Sequence, residues 1–229
     1  MILNNKMSVW REDNLLHLFI IGTRYSLSGY TNDSSPNTLD YAILNDESEE
    51  ILKIINSEEE KSKILKIINN EKEKSDDYYE YDYDYLDDLL EICILKDNLL
   101  VLKWLYDLYP QLDLFKLNNK FFKIACMWEY LDIAEWLIEI NPSLDISIDN
   151  DEAFKLACLE KSIEIVNWLI YLKPSLLNKY AKEAFLADIY DEYGDDNYPI
   201  AEMLCIKKPS IFSLKIINGK ILYKITNFK

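Results

Sequence analysis

Between residues 151 and 177, apolar side chains fall where two short helices would bury them. Phe154, Leu156, Ala157 and Cys158 mark a short helix over residues 153–159, and Lys161 and Ser162 interrupt the pattern. Ile163, Val166, Trp168, Leu169, Ile170 and Leu172 then recur at near-helical spacing, with Glu164 and Asn167 left for solvent. Pro174 ends the second helix, because it has no N–H and its ring clashes with the preceding turn. The polar stretch 147–151 reads as a loop, and Asp149, Asn150 or Asp151 is placed to cap the first helix. The pattern predicts a loop, a short helix, a tight reversal and a longer helix.

The same pattern returns along the chain. Trp104, Trp136 and Trp168 are 32 residues apart, as are Pro110, Pro142 and Pro174, and Leu90, Phe122 and Phe154. Residues 90–112, 122–144 and 154–176 overlay without a gap and agree in hydrophobicity at almost every core position. A period of this length predicts a stacked array, since one two-helix unit cannot bury its own apolar face. Residues in one column then meet the same column of the next unit, so Trp136 and Trp168 are expected to be mostly buried.

The units resemble the ankyrin repeat. Its pattern T-P-L-H-x-A-A-x-x-G-H-L-E-V-V-x-x-L-L lies over residues 152–170, with Phe154 at the first Leu, Ala157–Cys158 at the small pair and Ile163-Glu164-Ile165-Val166 at L-E-V-V. Residues 122–138 match equally, with Ala125–Cys126 and Leu131-Asp132-Ile133-Ala134, and residues 90–106 fit with Cys93–Ile94 at the small pair. The Thr-Pro start and the Gly-His turn are lost: Asp97-Asn98, Glu129-Tyr130 and Lys161-Ser162 stand at the turn, so a non-glycine residue must serve there. The likeness is closer still to ankyrin proteins of giant DNA viruses of amoebae, through Trp136-Leu137, Pro142, Leu144, Ile146-Ser147, Asn150, Ala153-Phe154 and Ala157-Cys158. The resemblance implies an all-α ankyrin-repeat solenoid of helix-turn-helix units.

The flanks are less regular. Residues 37–56 read as a divergent first repeat and residues 1–36 as an N-terminal cap. Residues 57–84 form a charged insertion: Ile51-Leu52-Lys53-Ile54-Ile55-Asn56 recurs as Ile64-Leu65-Lys66-Ile67-Ile68-Asn69, which predicts an extra helix to about Asn69. Residues 71–88 follow, dense in acid and tyrosine, and read as a loop or a lead-in to the next helix. Residues 85–210 hold four repeats, the last divergent, beginning Glu183-Ala184-Phe185 and carrying an insertion near residues 193–197. Residues 211–229 form a C-terminal cap. Asn218-Gly219 between two apolar runs signals a β-hairpin, whereas repeat register puts Ile221 in the Phe122/Phe154 column and favours a truncated helix.

Charge and chemistry narrow the function. The 25 basic and 41 acidic residues give −16, which opposes a nucleic-acid or anionic-membrane footprint and leaves open a basic protein partner, beside the plainer role of keeping an apolar array dispersed. No run is long and apolar enough to span a bilayer and no signal peptide is recognised, so the expectation is an intracellular protein, in host cytoplasm or virion if viral. Cys93, Cys126, Cys158 and Cys205 show no metal or disulfide spacing, and Cys126 and Cys158 suit a small buried column. His17 is the lone histidine, and no phosphate-cradling glycine loop is present. No catalytic residue, cofactor or metal is expected.

A non-catalytic protein-interaction module is the resulting expectation, with a virion assembly component or a ubiquitin-ligase adaptor as alternatives. By the resemblance, partners are bound on the concave face through the loop tips at Tyr85, Asp87, Lys116, Asn119, Asp149 and Asp151, and through Leu95, Lys96, Met127, Trp128, Leu159 and Glu160 after each small pair. Trp128 breaks the polarity of a column otherwise filled by Lys96 and Glu160, so it is either a binding anchor or packed under a neighbouring turn. The acidic tyrosine run 76–88 is either a solvated spacer or a docking strip for a basic segment.

Overall fold

The structure, a computed structural model, describes residue 43 and residues 48–73, 85–109, 112–190, 197–217 and 220–226. His17, the expected N-terminal cap and most of the acidic tyrosine run lie outside them. The described chain is mostly helical and falls into two compact units, Ile20–Leu117 and Asn118–Lys229, the second also including Met1–Phe19.

In the first unit, α1 (Ser48–Asn56) and α2 (Glu58–Glu73) pack together and are followed by α3 (Tyr85–Leu95) and α4 (Leu99–Leu108). Ile51, Ile54, Ile55 and Ile64 are buried, as are Leu89, Leu90, Ile92, Cys93, Val101, Leu102 and Leu105. The first copy of the duplicated isoleucine motif is thus an apolar helix face, and Ile64 opens the second copy in the same way. α2 runs to Glu73, beyond the expected end near Asn69, and exposed pairs such as Lys61–Glu58 (2.7 Å) and Lys63–Glu59 (3.0 Å) line its solvent side.

α5 (Lys116–Met127) bridges into the second unit, which continues with α6 (Leu131–Ile140), α7 (Ile148–Leu159), α8 (Ile163–Leu172), α9 (Ser175–Ile189) and α10 (Pro199–Lys207). Its core is apolar: Phe122, Ala125, Cys126, Ile133, Leu137, Phe154, Ala157, Cys158, Val166, Leu169, Phe185 and Leu204 are all buried.

The reversal between paired helices is the same at three places. Asp97, Glu129 and Lys161 hold φ of 53°, 63° and 60°, the left-handed region. The next residue closes the helix end with a backbone bond five residues back: Asn98 N–H to Cys93 O (2.7 Å), Tyr130 to Ala125 (3.0 Å) and Ser162 to Ala157 (2.9 Å). This is a Schellman closure with a non-glycine residue in the left-handed position. Asn98, Tyr130 and Ser162 are at once the N-caps of α4, α6 and α8, so only three residues separate each helix end from the next helix start. The second helices also end alike: Leu144 N–H bonds Asn141 O (2.9 Å), Leu176 bonds Lys173 (3.1 Å) and Ile211 bonds Lys208 (3.0 Å). Pro142, Pro174 and Pro209 occupy the second position of these turns, where their fixed φ fits.

Within the second unit, successive two-helix modules are joined turn to turn. Ser162 Oγ donates to Met127 O (2.7 Å), Glu164 N–H donates to Glu129 Oε1 (2.8 Å), and Lys161 Nζ donates to Asn197 O (3.0 Å). Trp136 is buried at 7% exposure; Trp168 is partly exposed, with its ring 6.3 Å from that of Phe122 in the preceding module. Trp168, expected to be mostly buried against its own column, instead lies partly open, against the phenylalanine of the preceding module.

α9 departs from the pattern. It starts directly after Pro174, because residues 175–182 lack the loop-forming aspartates of residues 143–151. Its Asp188 stands where Ala157 stands one module earlier, and its Oδ2 accepts a bond from Ala201 N–H (2.8 Å). The carboxylate so caps α10, whose own N-cap Tyr198 offers no side-chain bond.

The C-terminus corrects the reading from register. Instead of a truncated helix, β1 (Phe212–Ile217) and β2 (Lys220–Ile225) form an antiparallel hairpin, with Phe212 opposite Ile225 and Ile217 opposite Lys220. Asn218-Gly219 is the preferred two-residue hairpin turn, and β-branched residues alternating with lysine suit strands. Phe212 stacks on Phe185 at 4.8 Å, so the hairpin covers the apolar end of α9.

Truncating Trp136 to Ala should cost about 3–5 kcal/mol in urea unfolding, as for other buried aromatics. Lys161→Gly and Lys161→Val both lose the bond to Asn197, but glycine relieves the left-handed strain, so the Val variant should be less stable than the Gly variant by more than about 1 kcal/mol. Equal midpoints for the two Lys161 variants would refute the role of that turn.

Candidate protein-binding surface

The expected loop tips begin at the N-terminal end of each first helix. In α7, Asp149, Asn150 and Asp151 hold φ of 53°, 60° and 61°, so the right-handed helix proper begins at Glu152. Asn119 holds φ of 58° at the matching place in α5. Asn and Asp enter this region more readily than other non-glycine residues.

The bend turns Asp151 inward. It is 2% exposed, and its carboxylate accepts bonds from Lys173 Nζ (2.8 Å), Lys179 Nζ (2.7 Å) and Tyr180 Oη (3.0 Å). Lys173 also bonds Ser147, and Lys179 bonds Asn150 Oδ1 at 3.0 Å. Burial opposes the Asp151 charge, yet the bonds from Lys173, Lys179, Tyr180 and Ser147 outweigh it and hold the carboxyl well below the usual range. Nearby, the buried Lys123 ammonium of α5 pairs with Asp149 and with Glu152 (2.6 Å).

Of the loop-tip residues, then, Asp151 and Asn119 are buried, and exposed Asp149 is bonded to Lys123 of the same chain. The side chains of Tyr85, Asp87 and Lys116 lie outside the described set. Lys123, Lys173, Lys179 and Tyr180 were not anticipated. The signal available for them is one of charge: Lys123 on α5, Lys173 before Pro174 and Lys179 on α9 are cations in an otherwise acidic chain.

The residues after each small pair are better placed to meet another molecule. Trp128, Leu159 and Glu160 in the second unit are partly exposed, whereas Met127 is fully buried and contacts its own chain. The Trp128 ring is only partly open, and its Nε1 is buried. Leu95 and Lys96 of the first unit are also partly exposed. Tyr190, at the Leu159 position of the last module, extends this row at 45% exposure. The shifted start Glu183-Ala184-Phe185 would have assigned it. Its hydroxyl meets that of Tyr223 at 2.5 Å, and this bond, aided by burial, pushes the Tyr223 phenol up to about 12. A second row lies on the outer helices, where Tyr171 and Ile206 occupy equivalent positions of successive modules at 81% and 80% exposure.

Cys93, Cys126 and Cys158 are buried free thiols whose burial raises their pKa. Among the described residues no group of three His, Cys, Asp or Glu could hold a metal ion, and no helix is long and apolar enough to cross a membrane. Compared with known proteins, the chain matches no family model, no curated protein and no solved structure.

The Asp151 network gives a pH signature. Unfolded, that carboxyl takes up its proton near about pH 3.9; folded, it does so only at lower pH. Its contribution is therefore present above about pH 5 and is lost as pH falls through and below the unfolded value. Asp151→Asn should cost about 1–2 kcal/mol at pH 7, a figure discounted because Lys179 is half in solvent, and clearly less at pH 2. Urea titrations at both pH values measure it; a penalty equal at both would remove the ion pairs from the account.

Proposed function

We propose that the chain is an ankyrin-type stack of two-helix modules that binds another protein and carries no catalytic step. The supporting observation is the joining of modules turn to turn: Ser162 to Met127, Glu164 to Glu129 and Lys161 to Asn197 follow one another along the second unit, each across 35 or 36 residues. Modules joined in this way use their inner columns to cover one another. What remains is a surface row at a constant place in each module, here Trp128, Leu159, Glu160 and Tyr190. Two aromatics among a few polar neighbours suit a protein interface, where such rings supply area at small entropic cost. The charge of −16 favours a partner with basic surface. The resemblance to arrays of giant viruses makes the partner a host or viral protein.

A tagged full-length chain used as bait in amoebal lysate tests this, with captured proteins quantified by mass spectrometry. Trp128→Ala should reduce retention of a specific partner at least about tenfold, the loss expected of an aromatic anchor. Tyr171→Ser with Ile206→Ser should leave it unchanged. The opposite result would transfer binding to the outer helices and overturn the assignment of the row.

A further inference from the structure

We propose that the C-terminal hairpin is a second docking site, at which an extended acidic segment of a partner protein adds as a third strand along β2. The inference goes beyond the groove row and does not depend on it.

Charge singles the hairpin out. Residues 203–229 hold six of the chain's 25 basic residues and none of its 41 acidic ones. Lys215 and Lys224 are exposed on the outward face, and Leu222, opposite Lys215, is exposed between them. Ile216 and Ile217 stand half in solvent at the tip. Inward, Phe212 and Tyr223 pack on Phe185, which fixes the hairpin to the end of α9.

The strand edge is available as well. β1 lies along α10, which leaves β2 outermost. Thr226 N–H bonds Ile211 O (2.8 Å), and this sets the phase of the ladder: Lys220, Leu222 and Lys224 bond across to β1. By the same alternation Ile221, Tyr223 and Ile225 direct their N–H and C=O groups to the open side, and among the described residues no other element bonds them. An open edge invites strand addition, and lysines are a common guard against unwanted pairing. Here they choose the occupant. A second copy of β2 would bring lysine against lysine, whereas an acidic strand places its carboxylates on the face that carries Lys224, beside that lysine and toward Lys215 one strand further on.

The probe is a fluorescein-labelled ten-residue peptide alternating glutamate with valine and tyrosine, titrated into the full chain by anisotropy at low salt. Binding is expected to weaken at least about tenfold when the glutamates become glutamine, when the protein carries Lys215→Glu with Lys224→Glu, and when Ile221→Pro removes one outward donor. Circular dichroism melting establishes that each variant folds. Hydrogen exchange should slow at Ile221, Tyr223 and Ile225 on peptide addition. Trp128→Ala should bind the peptide normally, which separates this site from the groove row. No binding of the acidic peptide at millimolar concentration, equal binding of the glutamine peptide, or unchanged exchange at those three amides would overturn the proposal.

Discussion

Everything in the described helices follows from a reversal made on one residue. A helix end leaves carbonyls without partners, and the next helix start leaves N–H groups without partners. Putting Asp97, Glu129 or Lys161 in the left-handed region closes the first end and makes the following residue the N-cap of the second helix. For a residue with a Cβ this costs on the order of 1–2 kcal/mol. The bonds to Cys93, Ala125 and Ala157 offset it, and the fully buried small residues at the first helix's end allow the chain to double back closely. A longer loop would free the second helix to rotate, and the buried columns would no longer coincide from one module to the next.

That constraint also explains why so much was legible. The helix pairs could be read because Phe122, Phe154 and Trp136 recur where packing buries them, whereas Trp168, at the same spacing, stays partly exposed. The extra helix α2 was legible from a duplicated isoleucine motif. Local turn chemistry was legible too, yet at the C-terminus two readings competed. Register argued from a repeat that had already ended; Asn218-Gly219 argued from the backbone itself, and the backbone prevailed.

The misread residues share a physical cause. Asp151 in a polar stretch looks like a solvent-facing tip, because polarity at one position reports nothing about partners 22 and 28 residues away. Lys173 and Lys179 neutralise it, and only then can a carboxylate be buried without prohibitive desolvation. Met127 was read as an offered side chain, but its carbonyl accepts from Ser162 and its side chain is covered. Pattern identifies columns; it does not say how far one module slides across the next, and that slide decides which member of a pair is covered.

The hairpin shows how a helical core can be finished with strands. Another module would set a phenylalanine against Phe185; Phe212 provides that ring from a strand instead. An isolated two-stranded hairpin is marginal in water. Its persistence here rests on Phe185, on Tyr190 meeting Tyr223, and on Thr226 returning its hydroxyl to Ser210 O (2.5 Å). Its stability is therefore conditional on α9 and α10, while α9 would expose Phe185 without it. Such mutual dependence ties the end of the described chain to the helices before it, and it holds in one fixed place a basic strand whose outer edge bonds no other described element.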